Sequence, residues 1–140
     1  MTEFVLSITD PSSSELASRL AAGLTEHAHS FADGPGFQPL EVVAHDAQGG
    51  IAGGITGRLN WSWLHVNLLW VAEPARGRGL GSRLLARIED EARGRGCRYA
   101  HLDTFSYQAL PFYERHGYLE FGRLEDYPPG QSRHFLRKEL

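Results

Sequence analysis

A single cysteine, Cys97, excludes an intramolecular disulfide and any cysteine metal cluster, so nothing ties the chain to an oxidising compartment. No apolar run approaches the ~20 residues that a membrane-spanning helix needs. Met1-Thr2-Glu3-Phe4 lacks the basic start of a secretory signal. Charge of neither sign dominates: 14 Lys and Arg against 17 Asp and Glu leave a net charge of −3, with seven His counted as neutral. That balance argues against nucleic acid or an anionic membrane as the main partner. Internal repeats and low-complexity tracts are absent, and the histidines show no metal-ligand spacing, so no metal is expected. What remains is 140 residues, 41% hydrophobic and 22% charged. This suffices for the core of one domain over residues 1–140, expected in the cytoplasm.

Periodicity divides the chain into elements. Phe4–Ile8 is a short, partly β-branched run expected to form a first strand. Ser12-Ser13-Ser14-Glu15 has the form of a capping box, with Leu16, Leu20 and Leu24 following at helical spacing to about His27. Residues 30–38 are read as a loop. Leu40–His45, Ile51–Arg58 and Trp63–Val71 read as an antiparallel meander, turning at Asp46–Gly50 and Asn60–Ser62. Simple alternation along the third strand would place Trp63, His65, Asn67, Leu69 and Val71 on one face. A helical stripe of Leu84, Leu85, Ile88 and Ala92 follows, ended by Gly94 and Gly96. Then come a strand over Tyr99–Thr104, a short helix over Gln108–His116, and strands over Tyr118–Leu124 and His134–Leu136, joined at Pro128-Pro129-Gly130. The expected fold is a mixed α/β domain.

Between the long strand and the next helix lies Arg76-Gly77-Arg78-Gly79-Leu80-Gly81. Glycines admit positive φ angles and bring bare main-chain N–H groups close to a ligand. The following helix start adds unpaired donors and the positive end of its dipole, an arrangement suited to a pyrophosphate. The alternating glycines do not fit Gly-x-Gly-x-x-Gly, and Gly-Lys-Ser/Thr occurs nowhere, so the dinucleotide and P-loop classes drop out. Alone, the element reads equally well as a plain glycine-rich turn.

A second motif lies downstream, from Ser106 through Ala109, Phe112 and Tyr113 to Gly117 and Tyr118. Together with Arg76, Gly79 and Gly81, it resembles the GNAT superfamily of acyl-coenzyme-A-dependent N-acetyltransferases. The order of elements matches across nearly the whole chain, with Ser106 standing where Asn is usual. The resemblance implies an α/β (α+β) GNAT fold: a mixed sheet of about seven strands flanked by about four helices. Its strands four and five, here Trp63–Val71 and Tyr99–Thr104, splay into a V. It also implies acetyl-CoA as acyl donor, an amine as acceptor, and direct attack within a ternary complex. A homodimer is common in the family.

By the same resemblance, the cofactor's pyrophosphate rests on Gly77, Arg78, Gly79, Leu80, Gly81 and Ser82. Arg76 adds charge, Ser106 holds a cofactor-side hydrogen-bonding position, and the main chain of Leu69, Trp70 and Val71 pairs with the pantetheine arm. The N–H of Val71 polarises the thioester carbonyl. Tyr113 takes the role of general acid, because a phenol of reference pKa ~10 is protonated at neutral pH and can donate to a leaving thiolate. Packing beside Phe112 is its other reading. His65 stands where a base is often carried, and Asn67 on that strand could orient substrate but not accept a proton. Glu125 and Asp126 are candidates to attract a cationic amine, or to form a solvated acidic turn. Cys97 is read as packing. A small-molecule amine is the expected acceptor. A protein lysine or N-terminus is the rival, and a non-catalytic acyl-coenzyme-A sensor is the alternative from another class.

Overall fold

The computed structural model describes residues 3–11, 15–32 and 38–140, in two compact units, Met1–Gly34 and Pro35–Leu140. The first unit holds one helix, α1, over Glu15–Ala28. Its expected N-cap, Ser12, lies outside the described residues. Phe4–Ile8 forms no strand. This corrects the sequence expectation: β propensity marks a segment that fits a sheet, but a ladder also needs a partner edge, and no described residue pairs with it.

The second unit is a six-stranded sheet. Its strands are β1 (Gln38–His45), β2 (Ile51–Asn60), β3 (Trp63–Val71), β4 (Tyr99–Phe105), β5 (Leu119–Glu125) and β6 (Ser132–Glu139). A 3-10 turn (Glu73–Ala75) and helix α2 (Leu80–Gly94) join β3 to β4, and helix α3 (Leu110–Arg115) joins β4 to β5. The spatial order is β1-β2-β3-β4-β6-β5. Among the described neighbouring strands only β3 and β4 pair in parallel, so the sheet is mixed, as the helical crossover between them requires. The described residues thus hold six strands and three helices, fewer than the seven and four expected.

Local chemistry accounts for the joints. Asp46 Oδ1 accepts from the N–H groups of Gln48 (2.9 Å) and Gly50 (2.8 Å), closing the β1–β2 turn. The α2 stripe of Leu84, Leu85, Ile88 and Ala92 is buried, as its spacing predicts, against Ile55, Leu59, Leu64, Val66, Ala100, Leu102 and Leu136 of the sheet. Gly57 lets helix and sheet approach: a Cβ there would lie 2.8 Å from the His65 carbonyl oxygen and 3.2 Å from Ile88 Cδ1. Cys97 is buried and packs in the core, and burial pushes its thiol pKa up.

One irregularity re-aims the site. Thr56 pairs with Leu68, but Gly57 pairs with Val66, which leaves Asn67 as an extra residue in β3. Leu64 and Val66 point toward α2 before it. After it Leu69 and Val71 do, packed against the same core as their partners Ile55 and Gly53. The single-face expectation for Trp63, His65, Asn67, Leu69 and Val71 is therefore wrong, because a bulge shifts the alternation by one. Trp63, His65, Leu68 and Trp70 share the face turned away from α2.

Candidate functional site

The parallel seam between β3 and β4 comprises three residue pairs: Trp63 with Tyr99, Leu64 with Ala100, and His65 with His101. Beyond it β3 continues to Val71 and β4 to Phe105 without pairing to each other, so the two strands part into a V. Main-chain groups along the inner margins of the V are left for an extended ligand to pair with. A cavity of about 630 Å³ lies along the β3 margin and is lined by Leu69, Trp70 and Val71, by loop residues including Gly77, Gly79 and Gly81, and by Ala109, Phe112 and Tyr113 of the α3 segment.

Backbone geometry shapes the loop. Gly77 (φ 75°) and Gly79 (φ 77°) adopt left-handed conformations, and Gly79 caps α2 without a side chain. The helix begins at Leu80, so the N–H groups of Leu80, Gly81 and Ser82 precede the first residue able to bond within it, Arg83 to the Gly79 carbonyl (3.1 Å). Apart from its chain neighbours, no described residue lies within 4 Å of where a Gly79 Cβ would be. The loop therefore presents free donors beside open space, which fits a pyrophosphate. Arg76 turns back, its Nε donating to the Val71 carbonyl (3.0 Å), and ties the loop to the end of β3. Ser82 Oγ meets His116 Nε2 at 2.9 Å, and His116 lies against Phe112 with ring centroids 4.7 Å apart. Helix α3 thereby braces the start of α2.

Tyr113 is 7% exposed and lines the same cavity. Its ring meets Phe112 (5.1 Å) and Tyr118 (5.8 Å) edge to face. Burial, with a smaller contribution from the Asp103 charge, pushes its pKa up to about 12. The phenol is thus held firmly in the protonated form that a general acid needs.

The structure brings Leu69, Trp70, Val71, Arg76, Gly77, Gly79, Leu80, Gly81, Ser82 and Tyr113 into one cavity. Other candidates lie elsewhere. Arg78 faces a separate cavity of about 830 Å³ between β1 and α2, beside Arg83 and Arg87. Ser106 Oγ donates to Gln131 Oε1 (2.6 Å) and accepts from the Ser132 N–H (3.0 Å), tying the end of β4 to β6; Gln108 lines the cavity instead. Glu125 lies 3.7 Å from Arg123, and Asp126 accepts from the Gly130 N–H (3.4 Å). Asn67 is exposed at the bulge.

His65 stands on the face away from α2, stacked on His101 with centroids 4.5 Å apart and rings 6° from parallel. Arg58 Nη2 lies 3.3 Å from His65 Nδ1, and because a guanidinium can only donate, the neutral ring carries its hydrogen on Nε2. Burial first, then the His101 and Arg58 charges, lower its pKa below 6.5, against a smaller opposing effect of Asp103. Sequence reasoning missed the lining role of Gln108, Pro111 and Arg115 and the brace made by His116. The second motif contains all four, but only the packing of α3 against the loop shows which of them face the cavity.

Comparison with known proteins agrees with this geometry. Residues 5–118 match the model of the acetyltransferase (GNAT) family. Blasticidin-S acetyltransferase from Streptomyces morookaense is 50% identical over 107 residues, covering 74% of this chain and 79% of the relative. The acetyltransferase Atu2258 from Agrobacterium fabrum is 40% identical over 101 residues, covering 72% and 74%. The crystal structure of an acetyltransferase from Bacillus cereus superposes with a TM-score of 0.86 at 35% identity, covering 96% of this chain and 98% of that one.

Proposed function

Because the chain belongs to the GNAT acetyltransferase family and is an acetyl-CoA-dependent N-acetyltransferase, we propose that its acceptor is a small-molecule amine, acetylated by direct attack within a ternary complex. The observation that carries the reading is the convergence of the end of β3 (Leu69–Val71), the loop residues Gly77, Gly79, Leu80, Gly81 and Ser82, and Tyr113 on one cavity, beside the point where β3 parts from β4. The blasticidin-S acetyltransferase at 50% identity supports a small-molecule acceptor.

Loop N–H groups hold the donor's pyrophosphate, and the β3 margin from Leu69 to Val71 aligns its pantetheine arm. The neutral amine attacks the thioester carbonyl, forming the C–N bond, and the Val71 N–H stabilises the oxygen that becomes negative. When the C–S bond breaks, Tyr113 gives its proton to the departing sulfur and recovers one from solvent. The nitrogen loses its proton to His65, directly or through water.

This role carries a condition for His65: protonation at Nδ1 displaces Arg58. His65→Gln is therefore expected to remove the acid limb of the kcat/KM profile, whose wild-type midpoint lies below pH 6.5 because the environment favours the neutral ring. An unaltered profile would assign proton uptake to water alone. Gly79→Val is expected to raise the acetyl-CoA KM about tenfold or more. Its left-handed φ of 77° disfavours a β-branched residue by roughly 1–2 kcal/mol, and the new side chain points into the space kept for the phosphates. Unchanged acetyl-CoA affinity by calorimetry would discredit the loop assignment.

Thiol release from acetyl-CoA, measured across small amines, blasticidin S and peptides with a free N-terminus or lysine, tests the acceptor class. Turnover restricted to peptides would replace the small-molecule reading. Tight donor binding with no release for any acceptor would favour a sensor.

A further inference from the structure

On the sheet face turned away from α2, three aromatic rings stand nearly parallel. Phe105, the last residue of β4, stacks on Tyr107 (centroids 5.4 Å apart, 15°) and on Tyr127 (5.7 Å, 24°). The outer two keep much of their surface open, Tyr107 at 58% and Tyr127 at 45% exposure.

Arg133 holds the group in place. Its guanidinium carbon lies over the rings of Phe105 (5.7 Å), Tyr127 (5.2 Å) and Phe135 (5.1 Å). Nη1 donates to the Tyr127 hydroxyl at 3.2 Å, and Nε donates to Asp103 Oδ2 at 2.7 Å. The Asp103 carboxylate neutralises the guanidinium, so the stack presents π faces without an unpaired positive charge that would repel a cationic amine.

Its position joins it to the reaction. Tyr107 immediately precedes Gln108 and Ala109, which line the donor cavity. Trp70, 55% exposed, lies on the other margin of the V and on this same face of the sheet. Glu125 and Asp126 adjoin Tyr127 in sequence and bring carboxylates to the same turn.

We propose that Phe105, Tyr107 and Tyr127 form an acceptor shelf, and that the physiological acceptor is an alkyl amine joined through a short linker to a planar aromatic or heteroaromatic ring that stacks on it. The inference rests on the small-molecule acetyltransferase reading and narrows its substrate class. Stacking rewards planarity, so a flat ring gains over a puckered ring of similar size even though the puckered ring is the more hydrophobic.

The test compares 3-phenylpropylamine with 3-cyclohexylpropylamine, whose amines sit at the same reach and differ little in basicity. With the full chain and acetyl-CoA, kcat/KM from thiol release is expected to be about tenfold higher for the phenyl compound. Tyr107→Leu and Tyr127→Leu, which keep apolar bulk but remove the planar face, bring that ratio toward unity. Tyr107→Phe, which keeps the face, restores it. Equal kcat/KM for the two amines in the wild type, or a ratio that survives in both leucine variants, overturns the shelf while leaving acetyl transfer standing. Donor binding with no thiol release for any amine, planar or aliphatic, removes the acetyl-transfer reading and the shelf with it.

Discussion

Replacing Tyr113 by Phe is expected to lower kcat for acetyl transfer by about 100-fold while the acetyl-CoA KM moves only a few-fold. The substitution removes one oxygen and keeps the ring that packs against Phe112 and Tyr118, so the fold and the cavity wall persist. On the proposed mechanism, what disappears is the proton delivered as the C–S bond breaks, an interaction made only in the transition state. Single-turnover rates with a saturating amine measure the effect directly. The raised pKa of about 12 adds a second signature. A general acid must be protonated to act, and Tyr113 stays so throughout the range in which the protein can be assayed. Any alkaline fall in kcat below about pH 10 therefore belongs to another group, and Tyr113→Phe leaves its midpoint in place. A kcat within about threefold of wild type would reduce Tyr113 to a packing residue.

The second large effect is on stability. Glu89 of α2 is 5% exposed, yet it accepts from the Tyr118 hydroxyl at 2.7 Å and from Lys138 Nζ at 3.0 and 3.1 Å. These bonds join α2 to the start of β5 and to β6 at a place where apolar packing alone would leave the elements free to slide. Glu89→Ala leaves an ammonium without its counter-charge and a wholly buried phenol without its acceptor. Breaking a buried pair in this way destabilises by about 3–5 kcal/mol. The lower end is expected, because Lys138 retains some access to water. The urea midpoint should fall accordingly, and Glu89→Gln, which keeps an acceptor for Tyr118, should lose less. An unmoved midpoint for the alanine variant would show that the cluster contributes nothing net. Tyr118 also packs on Tyr113, so a variant that folds is expected to show a lower kcat in proportion to how far that contact loosens.

Where the sequence was legible, one physical rule dominated locally. The α2 stripe was readable because Leu84, Leu85, Ile88 and Ala92 all meet the same sheet, and the limits of β3 because Trp63 to Val71 is bounded by turn residues on both sides. The loop was readable because its glycines need backbone angles that other residues avoid. The bulge at Asn67 was not, since an extra residue in one strand is a property of the pair and leaves no mark on either sequence alone. Nor was the Phe4–Ile8 outcome, because propensity says nothing of where a partner edge lies. Arg76 and Ser106 were found by motif, but the use of the Arg76 Nε on the Val71 carbonyl and of the Ser106 hydroxyl on β6 follows from tertiary contacts. The aromatic shelf escaped for a similar reason: Phe105, Tyr107 and Tyr127 are brought together only when β4 and the β5–β6 turn lie side by side.

The three-pair junction between Trp63–His65 and Tyr99–His101 has a mechanical consequence. It is a short hinge between two leaves, β1-β2-β3 on one side and β4-β6-β5 on the other. On the proposed binding mode, a donor threaded between the leaves would act as a rib that bonds to one and rests on the other. Its affinity would then include the stiffening of that hinge, so a change that rigidifies the two leaves at the wrong spacing would weaken the donor without touching it.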